Sequence, residues 1–132
     1  VIDPWCDYDS YDEYKNSISY IYELFKLNID NNKLNDKINV YRNFSNNILP
    51  NLKNEYYDII YIDGNHNKEY VIEDAVLSFR KLKLNGYLVF DDYACNDVKL
   101  SIDVFCKIYE KYIEIPTTQI DNQYAIKKIK QF

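Results

Sequence analysis

Glycine is nearly missing from this chain of 132 residues; Gly64 and Gly86 are the two it has. They cannot build a glycine-rich loop, and with three prolines there is no Pro/Gly/Ser-rich linker to divide the chain. A single domain over residues 1–132 is therefore expected, long enough for a real core. Methionine is absent, even from position 1. The chain opens at Val1 inside an apolar stretch, as expected of a segment of a longer protein. No apolar run approaches the roughly 20 residues needed to cross a bilayer, and no signal-like start is visible, so no membrane partner is expected. The three cysteines, Cys6, Cys95 and Cys106, leave an odd thiol if two pair, and they form no CxxC. A reduced, cytoplasmic protein is the simpler reading. Basic charge is also in deficit: the net charge is −5, with both signs mixed along the chain. That argues against a nucleic-acid partner, which needs a basic patch to displace phosphate counterions.

Apolar residues make up 47% and charged residues 28%, a globular rather than a disordered balance. Strand-like and helix-like stretches alternate. VIDPW at the start is short and β-prone. Ser10 with Glu13 forms a capping box, and Tyr14, Ile18, Ile21 and Phe25 follow at helical spacing. KINVY (residues 37–41) is a second short strand, and residues 45–52 hold a helical turn interrupted by Pro50. YDIIYID (residues 57–63) has the continuous apolar character of a strand buried on both faces. Residues 68–82 predict a helix with Ile72, Ala75, Phe79 and Leu82 inward, ended by Asn85-Gly86. GYLVFDD is a third buried strand. Residues 97–112 predict a helix carrying Leu100, Val104 and Ile108, and two strands around the turn QIDNQ close the chain. The expected class is α/β: a Rossmann-like, mostly parallel sheet with a C-terminal antiparallel hairpin.

Three of these strands end in acid: Asp3, Asp63, and Asp91 with Asp92. Ligands of open α/β sheets bind beyond the carboxyl ends of the strands. Carboxylates gathered there repel one another unless one is protonated or a hard divalent cation lies between them, and Mg²⁺ suits an all-oxygen set. Read singly, each acidic motif is a turn or a helix cap. Their pairing at consecutive buried strands is what points to a site. His66, the single histidine, follows Asp63 by three residues. It is either a solvated loop residue or a general base suited to neutral pH. Asp3 is either a strand exit or an acid that holds ribose hydroxyls. Trp5 flanks an adenine or simply packs. Arg42, Arg80 and the lysines near Lys127 read as solvated faces.

VIDPW, the stretch YDIIYIDGNHNKEYVIEDAVLSFRKLKLNGYLVFDDY and the spacing between them resemble the class I S-adenosylmethionine-dependent methyltransferases. Within that class they are similar to the metal-dependent sugar and small-molecule O-methyltransferases, relatives of catechol O-methyltransferase. The resemblance runs from residue 1 to about 97. It implies that Asp63, Asp91 and Asp92 hold Mg²⁺, that His66 is the catalytic base, and that Asp3 grips the ribose of S-adenosylmethionine. Gly86 matches the second glycine of the family's LKxGG turn, with Asn85 replacing the first. Asn65 stands where some relatives carry an acid.

The departure is at the front. The family's first strand, its glycine-rich loop and its first helix have no counterpart here. The fold is thus expected to be truncated at the N-terminus, with the strands ending at Asp3 and Asp63 either paired directly or joined by a segment from outside this sequence. The expected function is O-methyl transfer to a sugar or small-molecule hydroxyl, with the missing segment or a fused domain as partner. Two other readings remain: a non-catalytic Rossmann-like binding or assembly module, and a receiver-like phospho-acceptor. The receiver has its acids in the reverse order.

Overall fold

The computed structural model of the chain describes residues 1–6, 17–117 and 120–131. The capping box at Ser10 and Glu13, and Tyr14, lie outside the described residues. The chain divides into two compact units, Val1–Ile48 and Leu49–Phe132.

In the first unit, helix α1 spans Ile18–Asn31. Its inner face is Tyr22, Phe25 and Ile29 rather than Ile21, which is exposed. Trp5 explains the rotation. Its buried ring packs on Tyr22 and Phe25, with centroids 4.8 and 5.0 Å away. The guanidinium of Arg42 lies 4.4 Å from the centre of the Tyr22 ring, and its Nη2 donates to the Trp5 carbonyl at 3.2 Å. Arg42 is therefore engaged rather than merely solvated. The two short strands of the sequence reduce to one parallel bridge, Ile2 with Tyr41.

The first unit ends in helix α2, Ser45–Ile48, and the second opens with a 3₁₀ turn, Leu49–Asn51, around Pro50. Then follow β1 (Tyr57–Ile62), α3 (Lys68–Phe79), β2 (Leu82–Phe90), α4 (Asn96–Ile108), β3 (Ile113–Glu114) and β4 (Tyr124–Lys128). The strands form one sheet in the order β1-β2-β4-β3. The β1–β2 pair is parallel, joined through α3 as a βαβ unit. The chain-closing strands β3 and β4 pair antiparallel, as the hairpin reading expected, and β4 also pairs antiparallel with β2. Within the first unit Ile2 pairs with Tyr41, and within the second β1 pairs with β2.

The core lies where α3 and α4 cover the sheet. Val71, Ala75 and Phe79 meet Leu82, Leu88 and Phe90, with Val98, Ile102 and Phe105 above them. Three details depart from the sequence reading. β1 is half-buried rather than enclosed, with Ile60 and Ile62 inward and Ile59 and Tyr61 exposed. α4 buries Val98, Ser101, Ile102 and Phe105 and leaves Leu100, Val104 and Ile108 in the open. Both sets repeat at helical spacing, so period alone does not choose between them; the aromatic anchor Phe105, stacked on Tyr109 and edge-on to Phe79, does. Finally, Asn85-Gly86 does not end a helix. α3 stops at Phe79, and the pair sits inside β2 where the β1–β2 register shifts between Tyr57 and Ile59. Asn85 takes φ 65° there, and a Cβ on Gly86 would stand 3.0 Å from the carbonyls of both Asp58 and Lys83. Any larger residue would make those backbone carbonyls give by a few tenths of an ångström, so glycine suits that close approach.

The lysine run near Lys127 is solvated only in part. Lys128 is 1% exposed, and its Nζ donates to the carbonyls of Phe79 at 3.1 Å and Leu82 at 3.0 Å. Lys81 is buried as well, donating to the Leu52 carbonyl at 2.9 Å and Asn54 Oδ1 at 2.8 Å. Burial lowers the pKa of both ammonium groups.

Candidate active site

The parallel pairing of β1 and β2 sets the site. In a parallel ladder, paired residues point to the same face, and Ile62 pairs with Phe90. One step on, the Asp91 amide donates to the Ile62 carbonyl at 3.0 Å, which carries the ladder past the strand ends and sets Asp63 beside Asp91. Asp92 would point to the opposite face if the strand continued. It does not continue. Asp92 takes φ 55° in the left-handed region, which aspartate tolerates better than most residues. The turn brings its carboxylate to the same rim.

Asp63, His66 and Asp92 each place one ligand-type atom within 4.8 Å of the other two. His66 Nε2 lies 3.0 Å from Asp92 Oδ2. His66 is set by the short loop from β1 to α3, where the Asn67 amide donates to Asn65 Oδ1 at 2.8 Å. That turn ends in an extended Asn67 at the start of α3. Asp91 stands beside this triplet rather than within it. Its Oδ1 accepts the Asp92 amide at 3.0 Å, and the Tyr61 phenol donates to its carboxylate. Ile62, Val71, Phe90 and Val98 supply the apolar walls of the depression that Asp63, His66 and Asp91 line.

The electrostatics follow from this crowding. The Asp63 carboxyl is pushed up by burial first, then by the charges of Asp91 and Asp92, while His66 pulls it the other way. The Tyr61 phenol is pushed up to about 12, chiefly by its hydrogen bond to the Asp91 carboxylate, while Gln123 acts in the opposite sense. Asp3 belongs to the first unit. Its Oδ1 accepts the Trp5 amide at 2.6 Å, which closes the turn at the end of that strand. Trp5 itself packs.

Tyr61, Asn122 and Gln123 were missed by sequence reasoning. Tyr61 was findable, because it precedes Asp63 by two residues and so shares its face of the strand. The other two carry no local signal. Asn122 reaches Asp92 from 30 residues away and Gln123 reaches Tyr61 from 62 residues away.

A family model described as a methyltransferase domain matches residues 1–93, and the chain belongs to that family. Its fold is similar to that of the O-methyltransferase NovP, at 15% identity and a TM-score of 0.63, over 88% of this chain and 45% of that one. It is similar also to a Methanococcus maripaludis protein assigned as an S-adenosyl-L-methionine-dependent methyltransferase, at 15% identity and a TM-score of 0.54, over 86% of this chain and 64% of that one. Over 36 residues it is 47% identical to an uncharacterised protein of Acanthamoeba polyphaga mimivirus, which is 27% of this chain and 16% of that protein. The chain spans less than two thirds of the length of each of these proteins. The Rossmann-like methyltransferase reading of the sequence is borne out by the family match and by the fold. No helix among the described residues is long and apolar enough to cross a membrane.

Proposed function

We propose that the chain forms the catalytic part of a cytoplasmic, S-adenosylmethionine-dependent O-methyltransferase that uses Mg²⁺ and acts on a hydroxyl of a sugar or another small molecule. One observation carries this reading: in a chain of the methyltransferase family, the ligand atoms of Asp63, His66 and Asp92 fall within 4.8 Å of one another at the carboxyl ends of the parallel strands. The donor set fits a hard divalent ion. Carboxylate oxygens dominate it. Asp63 and Asp92 would hold the ion, with Asp91 beside them, and a bound ion would lower the pKa of a substrate hydroxyl. S-Adenosylmethionine, when bound, supplies a methyl group on a sulfonium.

The chain's own groups do the rest. His66 faces Asp92 through Nε2, so Nε2 carries the proton and Nδ1 is left to accept one from the substrate hydroxyl. Asp92 thereby orients the base. Asp3, with one oxygen fixed by the Trp5 amide, offers the other to ribose hydroxyls. The apolar walls from Ile62, Val71 and Phe90 exclude water from one side of the acidic rim. The three free thiols suit a reducing compartment.

The test is transfer of labelled methyl from S-adenosylmethionine to a panel of sugar and catechol hydroxyls, with Mg²⁺ and with chelator. Transfer should need Mg²⁺ and should fall about 10²–10⁴-fold in His66→Gln. Activity undiminished by Asp91→Ala together with Asp63→Ala would overturn the metal role.

A second reading, a non-catalytic binding module, is favoured by the two-glycine count, which leaves no glycine-rich loop in this chain to cradle the methionine end of the cofactor. Calorimetry with S-adenosylmethionine, on this chain and on a longer form of the protein, separates the two: binding in the longer form favours the enzyme, and none in either favours the module.

A further inference from the structure

Asp91 and Asp92 are neighbours on a strand end, and a strand end sends neighbouring side chains apart. Something must hold both on one rim. The left-handed Asp92 makes the turn, and a single residue from the far hairpin secures it. Asn122 bonds three consecutive residues: its Nδ2 donates to Asp92 Oδ1 at 2.9 Å, its carbonyl accepts the Tyr93 amide at 2.8 Å, and its Oδ1 accepts the Ala94 amide at 2.6 Å. With Oδ1 so engaged, Asp92 presents Oδ2 to His66. The next residue acts on the other carboxylate. Gln123 Nε2 donates to the Tyr61 hydroxyl at 2.8 Å, and that hydroxyl donates in turn to Asp91. Two consecutive amide side chains thus reach two consecutive carboxylates, one directly and one through a phenol.

We propose that Asn122 and Gln123 are positioning residues for the cation site, an amide clamp that orients Asp92 and, through Tyr61, Asp91. The proposal rests on the metal reading given above. Side chains that orient the ligands of a bound ion typically govern about 10- to 100-fold in its affinity. The clamp does so by holding each carboxylate in one rotamer and charging one oxygen with a hydrogen bond, which leaves the other oxygen directed at the rim. Its placement on the hairpin before β4 also ties the site to a segment that contributes no ligand of its own.

The test is a double-mutant cycle read by Mn²⁺ binding, with the free ion followed by electron paramagnetic resonance and no cofactor or substrate present. Asn122→Ala should weaken Mn²⁺ binding about 10- to 100-fold in the wild-type background. It should have almost no further effect in the Asp92→Asn background, because the group it orients is already altered. A loss of equal size in both backgrounds means a general structural role and overturns the clamp. Tyr61→Phe provides the second arm. It removes one exposed hydroxyl, spares the bonds to Tyr93 and Ala94, and should weaken Mn²⁺ binding in the wild type but not in Asp91→Asn. Should Asn122→Ala fail to fold, the Tyr61 cycle decides. Unchanged binding in both Asn122→Ala and Tyr61→Phe, with Asp92→Asn weakened, overturns the clamp and leaves the metal reading standing. No Mn²⁺ binding by the wild type overturns both.

Discussion

Replacing Asp63 by asparagine should stabilise the protein without metal and abolish its response to metal. The carboxylate is a liability in the metal-free fold because burial and the charges of Asp91 and Asp92 all disfavour its ionised form, with His66 a smaller opposing influence. At 4.8 Å, the outer limit of the triplet, two carboxylates repel by about 3.5 kcal/mol at an effective dielectric near 20 and about 0.9 kcal/mol in bulk water. Asp63 is exposed, so the lower figure governs, and relief of about 1 kcal/mol is expected at pH 7. The sign agrees with linkage. A carboxyl raised in the folded state contributes fully below its ordinary value of 3.8 and loses that contribution as pH rises through the folded value. Calorimetric melting at pH 7 should therefore rise by about 3–4 °C in Asp63→Asn without metal. Mg²⁺ at a hundred times its dissociation constant should stabilise the wild type by about 2.7 kcal/mol and the variant by much less, against a control of matched ionic strength. A variant that melts lower without metal, and still gains as much from Mg²⁺ as the wild type, would refute both the repulsion and the ligand role.

Two further outcomes follow from the geometry. Ultraviolet titration should show the Tyr61 phenol ionising at about 12, and Asp91→Asn should return it towards 10.0, since the hydrogen bond to Asp91 is the largest cause of the shift. The stability tied to that bond is present below pH 10 and lost as pH rises through the folded value, so a phenol unmoved by Asp91→Asn would contradict the contact. On α4, Ile102→Ala should cost about 2–5 kcal/mol in urea unfolding, and Val104→Ala about 0.5 kcal/mol or less, because the first is fully buried and the second largely exposed. Equal costs would mean the helix is turned the other way.

The sequence was most legible where one interaction dominates locally. β1, α3, β2 and α4 all appear at the expected places, and Asp63, Asp91 and Asp92 lie at the carboxyl ends of β1 and β2, because parallel pairing through a βαβ unit leaves those ends little choice, whereas Asp3 belongs to the first unit. What stayed hidden is what chain period cannot encode. α4 offers two apolar stripes of the same spacing, and tertiary packing on Phe105 selected one. Asn85-Gly86 has the composition of a turn, and the same left-handed and glycine preferences served a strand irregularity instead. Lys128 read as part of a solvated run because lysine usually is; it found buried carbonyls to bind. Asn122 and Gln123 act across 30 and 62 residues, a range over which no local pattern carries information.

Lys128 gives the molecule an internal clock. Lys130, two residues on, is exposed and open to any amine-directed acylating reagent, whereas the Lys128 amine is enclosed between the end of α3 and the start of β2. Acylation at position 128 therefore counts openings of that corner, and its rate relative to position 130, read by peptide mass, reports how often the hairpin leaves the sheet. An acyl group once attached would neutralise the ammonium and bar its return between the two carbonyls, so each opening so captured would be permanent.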